Sequence, residues 1–137
     1  MAQYPTVTYP IGRAVNVNVG VGMHDLTSII NGNGFTGNSI AARAGGGRPL
    51  ATPIAQAMTL IATVATANDS VALPPGVGGQ ILWVVNGTAT SAQIFAANGT
   101  SDTINGVAAA TGIALAGGKA MTLVCPIAGA WFGVLSA

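Results

Sequence analysis

The sequence predicts an all-β protein: a small β-sandwich or jelly-roll-like barrel preceded by an extended N-terminal arm. Three observations carry that prediction. From residue 54 onward, short apolar runs are separated by turn signals at spacings of roughly 8 to 12 residues, as in small sandwiches and barrels. Helical periodicity is weak throughout, apart from a short stretch at 51–57. Before Pro53 the chain is rich in Gly and Asn and ends in "AARAGGGRPLATP", whose three glycines and two prolines suit a flexible connection. The division is therefore 1–53, an extended arm with one or two strands and a Gly-rich hinge, and 54–137, a compact β domain.

Taken in order, the first element lies in the arm. In "AVNVNVGVGM", Val15, Val17, Val19 and Val21 alternate with Asn16, Asn18, Gly20 and Gly22, the period of a strand with one buried face. Such a strand needs a partner, either the C-terminal domain or a neighbouring subunit. Past Pro53, residues 58–64 read as a strand, and "NDSVALPPGVGG" as a long connection. Residues 80–85 are almost wholly apolar and read as a central strand buried on both faces. Asn86-Gly87 turns the chain toward the strand 92–95, and Asn98-Gly99 ends it. Asn105-Gly106, between Ile104 and Val107, predicts a tight hairpin, because this pair supplies the two positive φ angles of a type I′ turn. Three further strands are expected at 113–116, 120–125 and 130–135.

Composition bounds the function. The chain has 137 residues and only 5% charged side chains, against roughly 25% in an ordinary domain. It carries three Asp, no Glu, three Arg, one Lys and one His, for a net charge of +1. Disorder pairs low hydrophobicity with high net charge; here half of the residues are apolar and the mean hydropathy is +0.61. So few charges would leave an isolated monomer poorly soluble, so much of the exterior is expected to be covered by other subunits. No run reaches the ~20 apolar residues of a membrane-spanning helix, and the opening "MAQYPTVTYP" has neither the basic nor the apolar region of a secretory signal. Synthesis in a reducing cytoplasm fits the lone Cys125, which sits among apolar residues and reads as a buried structural thiol.

Candidate chemistry is sparse. Asp102 precedes the Asn-Gly turn, where a short acceptor bonds nearby backbone N–H groups, and Asp69 lies in another turn context. His24 and Asp25 are adjacent and would point to opposite faces of a strand. General acid–base work needs a second titratable group close by, so Asp102 reads as a turn residue and catalysis is not expected. The "AGGGRP" cluster lacks the Lys and Ser/Thr of a phosphate loop. Arg13, Arg43, Arg48 and Lys119 are too dispersed for a nucleic-acid stripe. Trp83 and Trp131 sit inside apolar strands, so core packing outweighs a stacking platform. No cofactor, metal, nucleic acid or membrane partner is expected.

One stretch carries a resemblance. Along 68–135 the order is an Asp before "ALP", a "VVN" strand end, an aromatic strand, "DTING", "ALAGGK", a "LVC" strand and a closing "G-A-W". This outline resembles a family of small tailed-bacteriophage capsid decoration, or cement, proteins, and covers about half of the chain. The resemblance implies a compact β module on the outer surface of a phage head, often trimeric. It would bind the major capsid protein and bridge capsomers, in a virion assembled in the host cytoplasm. The arm could then add a strand to a capsid-protein sheet edge, with Arg13, Val15, Val17, Val19, Val21, Arg43 and Arg48 as capsid-contact candidates. The alternatives are a head- or tail-fibre attachment module, disfavoured by the chain ending at "LSA", and a carbohydrate-binding β module, which would expose its aromatics.

Overall fold

The computed structural model describes residues 37–137. Arg13, Val15, Val17, Val19, Val21, His24 and Asp25 lie outside them. The compact unit that contains the strands runs from Gly37 to Ala137, so it begins well before the boundary expected near Pro53.

Ten strands follow in chain order: β1 Gly37–Ala41, β2 Thr52–Pro53, β3 Met58–Thr63, β4 Ser70–Ala72, β5 Gln80–Asn86, β6 Ala92–Phe95, β7 Thr103–Ile104, β8 Ile113–Leu115, β9 Ala120–Ile127 and β10 Ala130–Leu135. A three-residue 3-10 turn at Arg48–Leu50 is the one helical element among the described residues. All-β is therefore correct. The sandwich or jelly roll is not, because the strands are threaded differently. Two sheets face each other, a six-stranded one in the order β1-β3-β5-β9-β10-β7 and a four-stranded one in the order β2-β4-β6-β8. The first six strands alternate between the sheets, and β1, β3 and β5 run parallel, as do β2, β4 and β6. The described residues thus form a β-solenoid of three coils, each giving one strand to each sheet. The remaining chain closes one end with antiparallel strands, β8 against β6 and β9 against β5. Among the described residues, β9 and β10 are the sole consecutive strands that pair with each other.

The physical reason for the difference is local. A turn signal marks where the chain bends but not whether it returns to the same sheet or crosses to the facing one. The bend after β2 ends in Ile54, which is buried, and the chain then enters the other sheet at Met58. Asn86-Gly87 behaves the same way. Asn86 is the last residue of β5 and fully buried; its amide donates to the carbonyls of Thr90 (2.8 Å) and Leu115 (2.9 Å), and its Oδ1 accepts from the N–H and Oγ1 of Thr88. It is the polar hub of a solenoid corner: the turn expected there forms, and it carries the chain across to the facing sheet.

The triple glycine is also packed, where a flexible hinge was expected. Backbone bonds join Arg43 to Ser70 in both directions, Ser70 Oγ donates to the Gly46 carbonyl, and the N–H of Gly45 donates to Asp69. Gly46 and Ala42 are buried. The core lies between the sheets: Ile61, Leu82, Val84, Met121 and Leu123 from one side meet Val71, Ala92, Ile94 and Leu115 from the other, with Ile54, Ile104 and Trp131 closing the ends. Fully burying each such aliphatic side chain contributes about 1.5–3 kcal/mol.

Candidate interaction surface

Among the described residues the few charges are held in corners: no described strand contains a charged residue, and Arg43, Arg48, Asp69, Asp102 and Lys119 all lie between strands. Arg48 is turned inward along the surface: Nε donates to the Ala96 carbonyl (3.2 Å), and Nη2 to the carbonyls of Ala97 and Thr100. Its fork fastens the 3-10 turn to the loop after β6. Of the two described basic capsid-contact candidates, Arg48 is thus occupied within the chain, and Arg43 is exposed.

The carboxylates are likewise structural. Asp69 is buried and gathers four donors: the N–H groups of Gly45, Ala65 and Thr66, and Thr66 Oγ1 at 2.7 Å. The Thr66 hydroxyl, then the Thr66 N–H, hold its carboxyl below the ordinary 3.8, and burial opposes them only in part. Asp102 departs from the reading that it serves its own turn. Its Oδ2 accepts from the N–H of Gly76 at 2.7 Å, in the loop between β4 and β5. The Asn105-Gly106 turn is as expected, with φ of 53° and 72°. Asn105 also completes the ladder beside β10, its side chain exchanging hydrogen bonds with the Gly133 backbone in both directions.

Trp131 is fully buried, as expected of a core residue, and its Nε1 is the one buried side-chain polar atom without a hydrogen bond among the described residues. Trp83 differs. It is half-buried on the outer face of β5, between Ile81 and Val85, which are exposed. The strand expected to be covered on both faces is covered by this chain on one.

That outer face is the candidate surface. Alternation turns Met58 and Leu60 of β3, Ile81 and Val85 of β5, Val124 of β9, and Phe132 and Val134 of β10 away from the core, and all seven are exposed. They are neighbours across the sheet: Met58 pairs with Trp83, Leu60 with Val85, Ile81 with Val124 and Val124 with Phe132. A groove of about 430 Å³ opens at one side of the face, bounded in part by Gly37, Ser39, Met58, Leu60, Trp83 and Val85. Among the described residues there is no cluster of three His, Cys, Asp or Glu fit for a metal, and no helix long and apolar enough to cross a membrane.

These surface residues escaped the sequence reading because a continuous apolar run states that both faces need cover, not what supplies it. The signal was present in residues 80–85 and 130–135. No protein-family model, curated protein or solved structure matches the chain.

Proposed function

We propose that this protein is a non-enzymatic virion component, a capsid cement protein that binds the outer surface of a phage head as a homotrimer and bridges major capsid proteins. The observation that carries this reading is the charge-free strand body with its exposed, contiguous apolar sheet face. Contiguous apolar patches on soluble proteins mark sites of association, and among the described residues the two carboxylates, Asp69 and Asp102, lie in separate corners as acceptors for backbone N–H groups. The stretch that resembles decoration proteins, 68–135, runs from β4 through the antiparallel closure, so it lies within the folded body and leaves out β1, β2 and β3.

A cement protein stabilises a shell by binding its assembled form, and many weak contacts add through multivalency. A rigid, corner-stapled solenoid suits that task, since little ordering entropy remains to be lost on docking. The described residues supply Arg43 as an exposed cation for the shell; Arg13, Val15, Val17, Val19 and Val21 remain the proposed contacts from the N-terminal segment.

The test is to add the purified chain to phage heads assembled without it and to count bound copies by quantitative mass spectrometry. Cement predicts copies on the order of hundreds per head, as a repeating lattice contact requires, together with raised resistance of the heads to heat. A handful of copies would point to a fibre attachment module instead, and no binding would overturn the reading.

A further inference from the structure

We infer that the outer face of the six-stranded sheet is the self-association surface of this protein, with Phe132 and Val134 of one copy seated in the groove beside Met58 and Leu60 of the next. The trimeric count rests on the reading above; the surface does not depend on attachment to a capsid.

Three features favour further copies of this chain as the occupant. The first is chemistry. The face carries no charged side chain on any of β1, β3, β5, β9 or β10, so it offers no electrostatic pattern by which a different partner would be steered or selected. Interfaces between copies of one chain are the more apolar kind, whereas interfaces with transient partners are about as polar as the rest of the surface. A small-molecule site would instead place a few polar groups convergently.

The second is extent. Five strands at about 4.8 Å spacing and about six residues at 3.3 Å each give a face of roughly 24 by 20 Å. Its projected area of roughly 500 Å² lies at the upper end of what monomers expose. With its rim it approaches the ~800 Å² that each partner contributes to a stable interface.

The third is asymmetry. The groove lies among β1, β3 and β5, while the protruding pair lies on β10, with β9 between them. Val134 is 71% exposed and Phe132 48%. A protrusion and a hollow on opposite sides of one face make a head-to-tail contact, and such contacts close into rings when the rotation allows. A self-complementary two-fold contact would instead bring like surfaces together. The apolar run 81–85 within β5 then has its physical reason: Leu82 and Val84 face the chain's own core, and Ile81, Trp83 and Val85 face the neighbour.

Sedimentation of the full-length protein at micromolar concentration tests this. The wild-type chain should have the mass of three copies. Leu60→Lys combined with Phe132→Lys should sediment as a monomer with an unchanged β spectrum, and Trp83 should become accessible to a quencher while Trp131 stays protected. Should the lysines prevent folding, Phe132→Thr with Val134→Thr keeps β propensity and should raise the concentration at which trimers dissociate at least about tenfold. Leu50→Lys and Val77→Lys, exposed but off the face, should leave the trimer intact. Under mild oxidation, Leu60→Cys with Phe132→Cys should give covalent trimers.

A monomeric wild type, or face variants that keep its mass, would overturn the inference. A dimer dispersed by the same variants would support the face and overturn the ring, as would a disulfide-linked dimer from Phe132→Cys alone. A monomer that docks on heads and loses docking through the lysine variant would assign the face to the shell and overturn self-association, leaving the cement reading standing. A trimer that fails to dock would overturn cement and leave the surface.

Discussion

Asp102 and Gly76, 26 residues apart in sequence, are joined by a 2.7 Å hydrogen bond from the Gly76 N–H to the Asp102 carboxylate. The bond ties the connection from the four-stranded to the six-stranded sheet to the segment just before β7. The same place is tightly packed: a Cβ on Gly76 would lie 3.0 Å from Cys125 Sγ, the Gly129 nitrogen and Trp131 Nε1.

Asp102→Ala should therefore destabilise the fold by about 1–3 kcal/mol, the range for losing a hydrogen bond to a carboxylate whose donor, on Gly76, is half-buried. Gly76→Ala should cost about 1–3 kcal/mol through overpacking, because its neighbours are backbone and core atoms with little room to yield. Urea denaturation midpoints at constant slope check both. Equal midpoints for Asp102→Ala and wild type would mean that the long-range bond contributes nothing.

The hairpin provides a backbone test free of steric clash. Gly106 has φ of +72°, and a Cβ there would meet nothing within 4 Å, so substitution acts through torsion alone. Gly106→Val should lower stability by about 1–3 kcal/mol, the cost of a β-branched residue in that region. Gly106→Asn should be much milder, since Asn tolerates positive φ. Thermal unfolding separates the pair, and identical melting temperatures for Val and Asn would contradict the turn.

Acid should act through Asp69. Its folded pKa is depressed below 3.8 by the Thr66 hydroxyl and backbone donors, so in the window between the folded and unfolded values the unfolded chain binds more protons. The contribution of Asp69 is then fully present above its unfolded pKa and is lost as pH falls through the folded one. Melting temperature should drop across that acid range. In Asp69→Asn, whose baseline should already be lower, the drop should be shallower; parallel curves for the two chains would remove Asp69 as the cause.

The chain boundary gives a fourth test. A chain of residues 37–137 retains every described strand, whereas one of residues 51–137 loses β1 and Arg48, which leaves the carbonyls of Ala96, Ala97 and Thr100 without that donor. The first should unfold cooperatively near the full-length midpoint and lose stable attachment to heads. The second should be clearly less stable, because Ile40 and Ala42 leave the core. Full attachment by residues 37–137 would show that the N-terminal segment is not the docking element.

Several local features were legible because they depend on near neighbours in the chain. Strand identity at residues 58–63, 80–86, 92–95, 113–115, 120–127 and 130–135 follows from short apolar runs bounded by turn residues. The Asn105-Gly106 turn follows from the backbone preferences of two residues. Burial of Cys125 and Trp131 follows from their apolar surroundings. The sequence by itself thus determined that the described residues are all-β and that Asp69 and Asp102 sit in turns between strands.

What the tertiary structure alone decided was every relation between distant residues. Ile54 could end a bend toward either sheet, and contacts across the core send it to the facing one, which makes coils instead of hairpins. Asp102 could have served its own turn, yet Gly76 stands within bonding distance once the coils are stacked. Gly45 and Gly46 look flexible until Asp69 and Ser70, more than twenty residues later, arrive beside them. Trp83 and Trp131 have similar local sequences and opposite faces, because pairing register, not composition, decides which side of a sheet meets the core. Short-range preferences select the local conformation of a segment, and its partner is selected by burial summed over the whole chain.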